Sequence, residues 1–192
     1  MKKITIVLFI IILVAACTKR SYISNEVIYS VNDRPINIIN AGAEQSAVNV
    51  TFTDEQELIN SVIAYAHSLE GTPYKWGGTT PVGFDCSGFV QHVYKKFGVN
   101  VPRMPVDMAA MSTKIDKTKI RKGDIVYFRG SNVNSSEIGH VALVISDFDG
   151  DFKMIHATTS KGVIVNSFGE YDYWKLKYLF ATRFDKDDLI KK

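Results

Sequence analysis

The sequence predicts an α+β fold, with helices first and an antiparallel sheet of about five or six strands after them. Two observations carry the helices and the strands, and a third their order. Apolar residues recur at helical spacing at Leu58, Ile59, Val62, Ile63, Ala66 and Leu69, and again at Phe89, Val90, Val93 and Phe97. From Arg121 onward the period shortens to that of strands, in five apolar runs punctuated by Lys-Gly-Asp, Asp-Gly and Lys-Gly turns. All helical patterns precede all strand patterns, which argues for α+β and against alternating βαβ units. The 192 residues suit one domain plus an appendage, and 46% apolar residues can bury a real core.

The extreme N-terminus stands apart from this fold. Lys2 and Lys3 precede a 13-residue apolar run, Ile4 to Ala16, interrupted only by Thr5. A charged start and a short apolar stretch are the pattern of an export signal, and the run is short of the roughly 20 residues a bilayer span needs. It ends in Val14-Ala15-Ala16-Cys17, small residues followed by cysteine. This resembles the lipobox of bacterial lipoproteins and implies a signal peptide over residues 1–16 with lipid attached at Cys17. An ordinary signal peptide beside an unrelated cysteine is the alternative. Removing residues 1–16 deletes two lysines and no acid, taking the formal charge from +3 to +1. A near-neutral chain without long charge runs does not point to nucleic acid.

Residues 17–52 hold no sustained period and read as a tether, with Ile36, Ile38 and Ile39 able to form a short strand on the domain. Thr53 with Gln56 three residues on is a capping-box pattern that starts the first helix, and Gly71 and Pro73 stop it. His67 lies beside the apolar stripe with no partner in view. Gly71 to Gly83 is a turn-rich loop in which Gly77-Gly78 permits close backbone approach. The second helix runs from about Cys86 to Phe97 and is stopped by Gly98. His92 lies about 240° around that helix from Cys86 and is expected on the surface. Val101 to Pro105 is a loop, and Asp107 to Ser112 suggests a short helix. The strands are Asp124–Phe128, His140–Ser146, Phe152–Ala157, Val163–Ser167 and Tyr178–Phe184. Short turns between consecutive strands predict a meander. Residues 186–192 form a charged tail.

Cys86 is the residue around which a site can be built. It falls in the first turn of the second helix, where unpaired N–H groups and the helix dipole favour a thiolate and lower its pKa. With Cys17 acylated it has no partner for a disulfide, so an exported chain would carry one unpaired thiol. The alternative is a buried, inert cysteine.

Two histidines downstream complete a possible constellation. Antiparallel pairing brings His140, at the start of one strand, beside His156, near the end of the next. A two-residue Asp149-Gly150 turn would put the rings on opposite faces. An odd-length loop, with Gly150 left-handed in a bulge, sets His140 opposite Thr158 and on the face of His156. The expectation is the odd-length loop. Cysteine, histidine and a third polar group give nucleophile, base and orienter, with His140 accepting the thiol proton to give a thiolate–imidazolium pair. Backbone N–H groups at the helix start can receive an oxyanion. One cysteine and two histidines also match the ligand count of an open zinc site, although close paired-ligand spacing is missing. The expectation is no metal and no cofactor.

These residues resemble the NlpC-type family of bacterial cell-wall cysteine peptidases. The resemblance covers about residues 54–184, through Pro73-Tyr74-Lys75-Trp76-Gly77-Gly78, Asp85-Cys86-Ser87-Gly88-Phe89, Val101-Pro102-Arg103, Gly123-Asp124-Ile125-Val126-Tyr127-Phe128, Gly139-His140-Val141-Ala142 and Ile155-His156-Ala157. Six motifs in this order are highly specific. The resemblance implies a compact papain-like fold, a peptidase domain over 53–185, and hydrolysis of amide bonds in peptidoglycan stem peptides. Such bonds join D-glutamate or D-alanine to a diamino acid such as diaminopimelate. It implies Cys86 as nucleophile, His140 as base and His156 as orienter. Tyr74 matches a tyrosine beside the nucleophile. Asp85 and Ser87 match positions that contact the amine end of a stem peptide in some members, although Asp85 can equally cap the helix. The expected protein is a lipid-anchored monomer at a bacterial membrane, facing the periplasm from the outer membrane or exposed at the cell surface. The alternatives are a related thiol amidase or acyltransferase, and a non-catalytic wall-binding lipoprotein.

Overall fold

The computed structural model describes residues 29–31, 34–36 and 54–189. In chain order the elements are β1 (Tyr29–Val31), β2 (Arg34–Ile36), α1 (Glu55–Ser68), β3 (Thr79–Thr80), β4 (Gly83–Phe84), α2 (Cys86–Lys95), α3 (Pro105–Ala110) and β5 (Thr113–Ile115). A 3₁₀ turn at Lys117–Lys119 leads to β6 (Ile125–Arg129), β7 (Ile138–Val144), β8 (Lys153–Thr158), β9 (Gly162–Ser167), α4 (Asp172–Lys177), β10 (Tyr178–Arg183) and α5 (Lys186–Leu189). The signal peptide, Cys17, Ile38 and Ile39 lie outside the described residues. Within the stretch read as a tether, β1 and β2 pair as an antiparallel hairpin. Of the stretch read as a charged tail, Lys186–Leu189 is helical.

Helices α1 and α2 are fixed by their caps and their apolar stripes. Asp54, rather than Thr53, caps α1, accepting a 3.0 Å hydrogen bond from the Gln56 N–H. Glu55 and Glu57 follow in the first turn, where the helix dipole favours acids. Thr53 itself lies outside the described residues. Leu58, Val62 and Ala66 of α1 join Phe89, Val90 and Val93 of α2 in one fully buried cluster. Helix α2 ends at Lys95, two residues short of the expected Phe97, and Gly98 follows at φ +79°. The short helix predicted over Asp107–Ser112 forms earlier, at Pro105–Ala110, because Pro105 occupies its first turn, where a missing N–H costs nothing.

The sheet has six strands in the order β5-β10-β6-β7-β8-β9, every neighbour antiparallel. Strands β6 to β9 form the expected meander. The closing strand does not extend it: β10 crosses back through α4 and pairs with β6. The buried Asp124 carboxylate helps hold it there, accepting from Arg183 Nε at 2.7 Å and from the Arg121 N–H at 2.8 Å. Strand β5, three residues without alternation, was invisible to the pattern and pairs on the outer side of β10.

Alternation along the strands divides the core in two. Ile125, Tyr127, Val141, Leu143, Ile155 and Ala157 face the helices, while Val126, Phe128, Ala142, Val144 and Met154 join Phe152, Phe168 and Trp174 on the other face. The pairs Leu143↔Ile155 and Val144↔Met154 have the odd-loop register, with Gly150 at φ +75°. His140 and His156 therefore share one face.

Candidate active site

The start of α2 is built as a rigid platform. Asp85 Oδ1 accepts from the Gly88 N–H at 2.7 Å, and Oδ2 from the Gly77 N–H at 3.0 Å and from Arg103 Nη2. Arg103 Nη1 also donates to Ser87 Oγ at 2.6 Å. One carboxylate thus caps the helix, pins the Gly77-Gly78 loop and fixes Arg103. The loop lies so close that a Cβ on Gly88 would sit 2.0 Å from the Gly78 carbonyl oxygen, which requires glycine there. Asp85 and Ser87, expected to face substrate, are engaged with each other's surroundings in this frame and still line the cavity described next.

Cys86 sits at the floor of a cavity of about 930 Å³ whose walls include Tyr74, Asp85, Ser87, Arg103, His140 and Trp174. The backbone N–H groups of Val141, next to His140, and of Ser87 and Cys86 itself act to lower the Cys86 thiol pKa. Tyr74 stands beside the sulfur: burial, then the charges of Cys86 and Asp85, push its hydroxyl pKa up. Cys86 and His140 reach the cavity from different directions. The sulfur belongs to the helix-side cluster, and His140 belongs to the opposite sheet face.

The histidines form a relay with a member that the sequence did not reveal. His140 Nε2 lies 2.7 Å from His156 Nδ1, and His156 Nε2 lies 3.0 Å from Asn166 Oδ1. The amide oxygen can only accept, so His156 carries its proton on Nε2. Its Nδ1 lone pair then accepts from His140 Nε2–H. That leaves Nδ1 of His140 as a free lone pair, the form a general base needs. Trp174 covers both rings, stacked on His140 at 5.7 Å and edge-on to His156 at 4.9 Å between centroids.

The electrostatics depart from expectation. Burial, then Asp85, pushes the Cys86 thiol pKa up, and the three N–H groups at the sulfur only partly oppose this. Burial, then His156 and Lys177, holds His140 well below its ordinary value. Burial holds His156 down at about 4. Cys86 therefore rests as a neutral thiol and His140 as a neutral imidazole on the walls of one cavity, and not as the thiolate–imidazolium pair expected from the helix start alone. Both nitrogens of His156 are occupied within the relay. Among the described residues no group of three His, Cys, Asp or Glu side chains is disposed to hold a metal.

The other two histidines are structural. His92 faces away from the thiol but is not a surface residue: it lies half-buried between Tyr65, 3.0 Å from its hydroxyl, and the Phe84 ring. His67 has a partner after all, Glu70 Oε1 at 2.6 Å. Asn166 had a readable signal. The Ser160-Lys161-Gly162 turn sets Thr158 opposite Gly162, which places His156 opposite Ile164 and diagonal to Asn166. Trp174 had none, because α4 follows no apolar period.

Residues 71–183 match the model of the NlpC/P60 family. The chain belongs to this family of cysteine peptidases. It is 35% identical over 127 residues to the gamma-DL-glutamyl hydrolase of Bacillus subtilis, covering 66% of this chain and 30% of that protein. It is 32% identical over 149 residues to the murein DD-endopeptidase MepS/murein LD-carboxypeptidase of Escherichia coli K12, covering 74% of each. Among solved structures, an NlpC/P60 family protein from Bacillus cereus superposes with a TM-score of 0.58 at 31% identity, covering 66% of this chain and 40% of that one.

Proposed function

We propose that the protein is a cell-wall endopeptidase that hydrolyses amide bonds in peptidoglycan stem peptides through Cys86. The observation that carries this reading is the Asn166–His156–His140 relay, which leaves a free lone pair on a histidine lining the same cavity as a helix-start cysteine. The similar proteins named murein DD-endopeptidase and gamma-DL-glutamyl hydrolase support the substrate class.

In this mechanism the Cys86 sulfur attacks the carbonyl carbon while its proton passes to His140 Nδ1. The backbone N–H of Cys86 and the Tyr74 hydroxyl donate to the oxyanion of the tetrahedral intermediate. The imidazolium that forms donates Nε2–H to neutral His156. Its Nδ1 proton then goes to the leaving amine as the C–N bond breaks, leaving a thioester on Cys86. A water gives its proton to His140 and attacks the thioester carbonyl. The acid departs, and the sulfur regains its proton.

The reading extends to place. The run Ile4–Ala16 and the Cys17 that follows it support export and lipid anchoring to a bacterial membrane, facing the periplasm or the cell surface. One chain supplies every residue of the site, which supports action as a monomer. Digestion of purified peptidoglycan, with mass analysis of the products, tests the activity. Wild type should release stem-peptide fragments and Cys86→Ala none. Unchanged products from the variant would remove Cys86 from the mechanism.

A further inference from the structure

We propose that Arg129 and Lys177 form a carboxylate-binding subsite on the leaving-group side of the cleft, selecting substrates whose leaving amine belongs to a residue with a free carboxylate. The inference rests on the peptidase reading for the direction in which substrate lies. Four charged side chains line the cavity: Asp85, Arg103, Arg129 and Lys177. Asp85 and Arg103 neutralise each other in a direct ion pair. Arg129 and Lys177 have no carboxylate within ion-pair distance among the described residues. The cavity therefore holds two uncompensated positive charges on one wall.

Both cations are held in place by groups that leave their charge available. Arg129 Nη1 donates to the carbonyls of Val133 at 3.1 Å and Leu176 at 3.2 Å, and its buried Nε has no partner among the described residues. Lys177 Nζ donates to the Gly130 carbonyl at 2.7 Å and lies 4.5 Å from the centre of the Tyr173 ring. Carbonyl oxygens carry no net charge, so an arriving anion meets the full charge of both side chains. A carboxylate offers two oxygens to such a pair, and a carboxamide offers one acceptor and no charge.

The position of the pair assigns it to the leaving side. His140 delivers its proton to the leaving nitrogen, so the leaving residue must lie against His140. In the sheet Phe128 pairs with His140 and Arg129 with Ile138, and the charge of Lys177 is felt at the His140 ring. The opposite wall, with Tyr74 and the Asp85–Arg103 pair, then faces the acyl portion. A diamino acid whose amine is released bears such a carboxylate, which makes it the chemical class that fits.

The test uses two synthetic crosslinked stem peptides that differ only at the residue giving up its amine, one with a free carboxylate and one with a carboxamide. Wild type should cleave the acid with kcat/KM about ten- to a hundredfold above the amide, the range of a charge-assisted hydrogen bond. Lys177→Gln and Arg129→Gln should each reduce that ratio about tenfold or more, and Arg129→Lys should retain most of it. Lys177→Gln removes one carbonyl contact and is the variant that leaves the fold least disturbed. Binding of the same two peptides to Cys86→Ala, measured by calorimetry, gives the ratio without turnover. Equal cleavage of both peptides by wild type overturns the subsite and leaves the peptidase reading standing. Discrimination in binding without cleavage of either peptide overturns the peptidase reading and leaves the subsite. A ratio that survives in both variants overturns the assignment to Arg129 and Lys177. Neither cleavage nor discrimination overturns both.

Discussion

Replacing Asn166 by alanine should impair catalysis through a proton that sits two residues away from the nucleophile. Asn166 Oδ1 is the acceptor for His156 Nε2–H at 3.0 Å, and that bond alone fixes the His156 tautomer. Without it, His156 is free to place its proton on Nδ1, where it would confront His140 Nε2–H across 2.7 Å. Relief requires His140 to shift its own proton to Nδ1, which removes the lone pair that receives the thiol proton. Losing a buried acceptor costs about 1–3 kcal/mol. Expressed as a bias toward the unproductive tautomer, that is roughly a ten- to hundredfold fall in kcat/KM. Asn166 also borders a second cavity of about 240 Å³, and a water entering there would replace the lost acceptor and keep the loss near tenfold. Asn166→Asp still accepts at the same place and should keep most of the activity. The assay is peptide hydrolysis by the three proteins, with imidazole nitrogen shifts to report the tautomers. If folded Asn166→Ala retains kcat/KM within about twofold and the same His140 tautomer, Asn166 does not orient the relay.

Two further outcomes follow from the charges of the site. With burial holding His156 at about 4 against an unfolded value near 6.5, the folded chain binds fewer protons than the unfolded one between these limits. Stability should therefore be full above about pH 6.5 and fall by about 3 kcal/mol on descending to about pH 4; urea midpoints for wild type and His156→Gln would check this, and equal slopes in both proteins would refute it. Because Cys86 rests as a thiol, iodoacetamide should modify it slowly near pH 7 and faster as pH rises past about 9. A rate already at its plateau between about pH 5 and 8 would show a preformed thiolate.

What was legible in the sequence was what local chemistry decides. The stripe from Leu58 to Leu69, the stop at Gly98 and the register of the His140 and His156 strands each depend on neighbours a few residues apart. The odd-length loop could be inferred because a one-residue slip would have sent the His156 ring to the wrong face. The path of β10 was not legible, because it depends on a pairing between Asp124 and Arg183, 59 residues apart. The Thr53-to-Gln56 pattern misled because Asp54, one position later, caps the helix more directly. Asn166 was within reach of the turn that precedes it, whereas Trp174 lies in a short helix without apolar period and is placed only by packing.

The same distinction explains why a helix start does not by itself set the protonation state of Cys86. A helix start lowers a thiol's pKa when the thiol is solvated, and a sequence shows the helix start but not the burial. Here the Asp85 cap brings a carboxylate to the neighbouring position, and the surrounding walls bury much of the sulfur, so both effects oppose the helix. The outcome bears on the one hazard that the cysteine count exposed. Oxidants and disulfides react with thiolates far faster than with thiols. In the exported setting proposed above, a Cys86 that stays protonated until a substrate carbonyl arrives is shielded from its compartment. In the proposed mechanism the relay supplies the missing activation at that moment, since His140 gains a proton only as the sulfur gains a bond to carbon. Burial that slows the free thiol and a tautomer chain that readies the base are thus two parts of one arrangement, and weakening the Trp174 cover should expose the two rings of the chain.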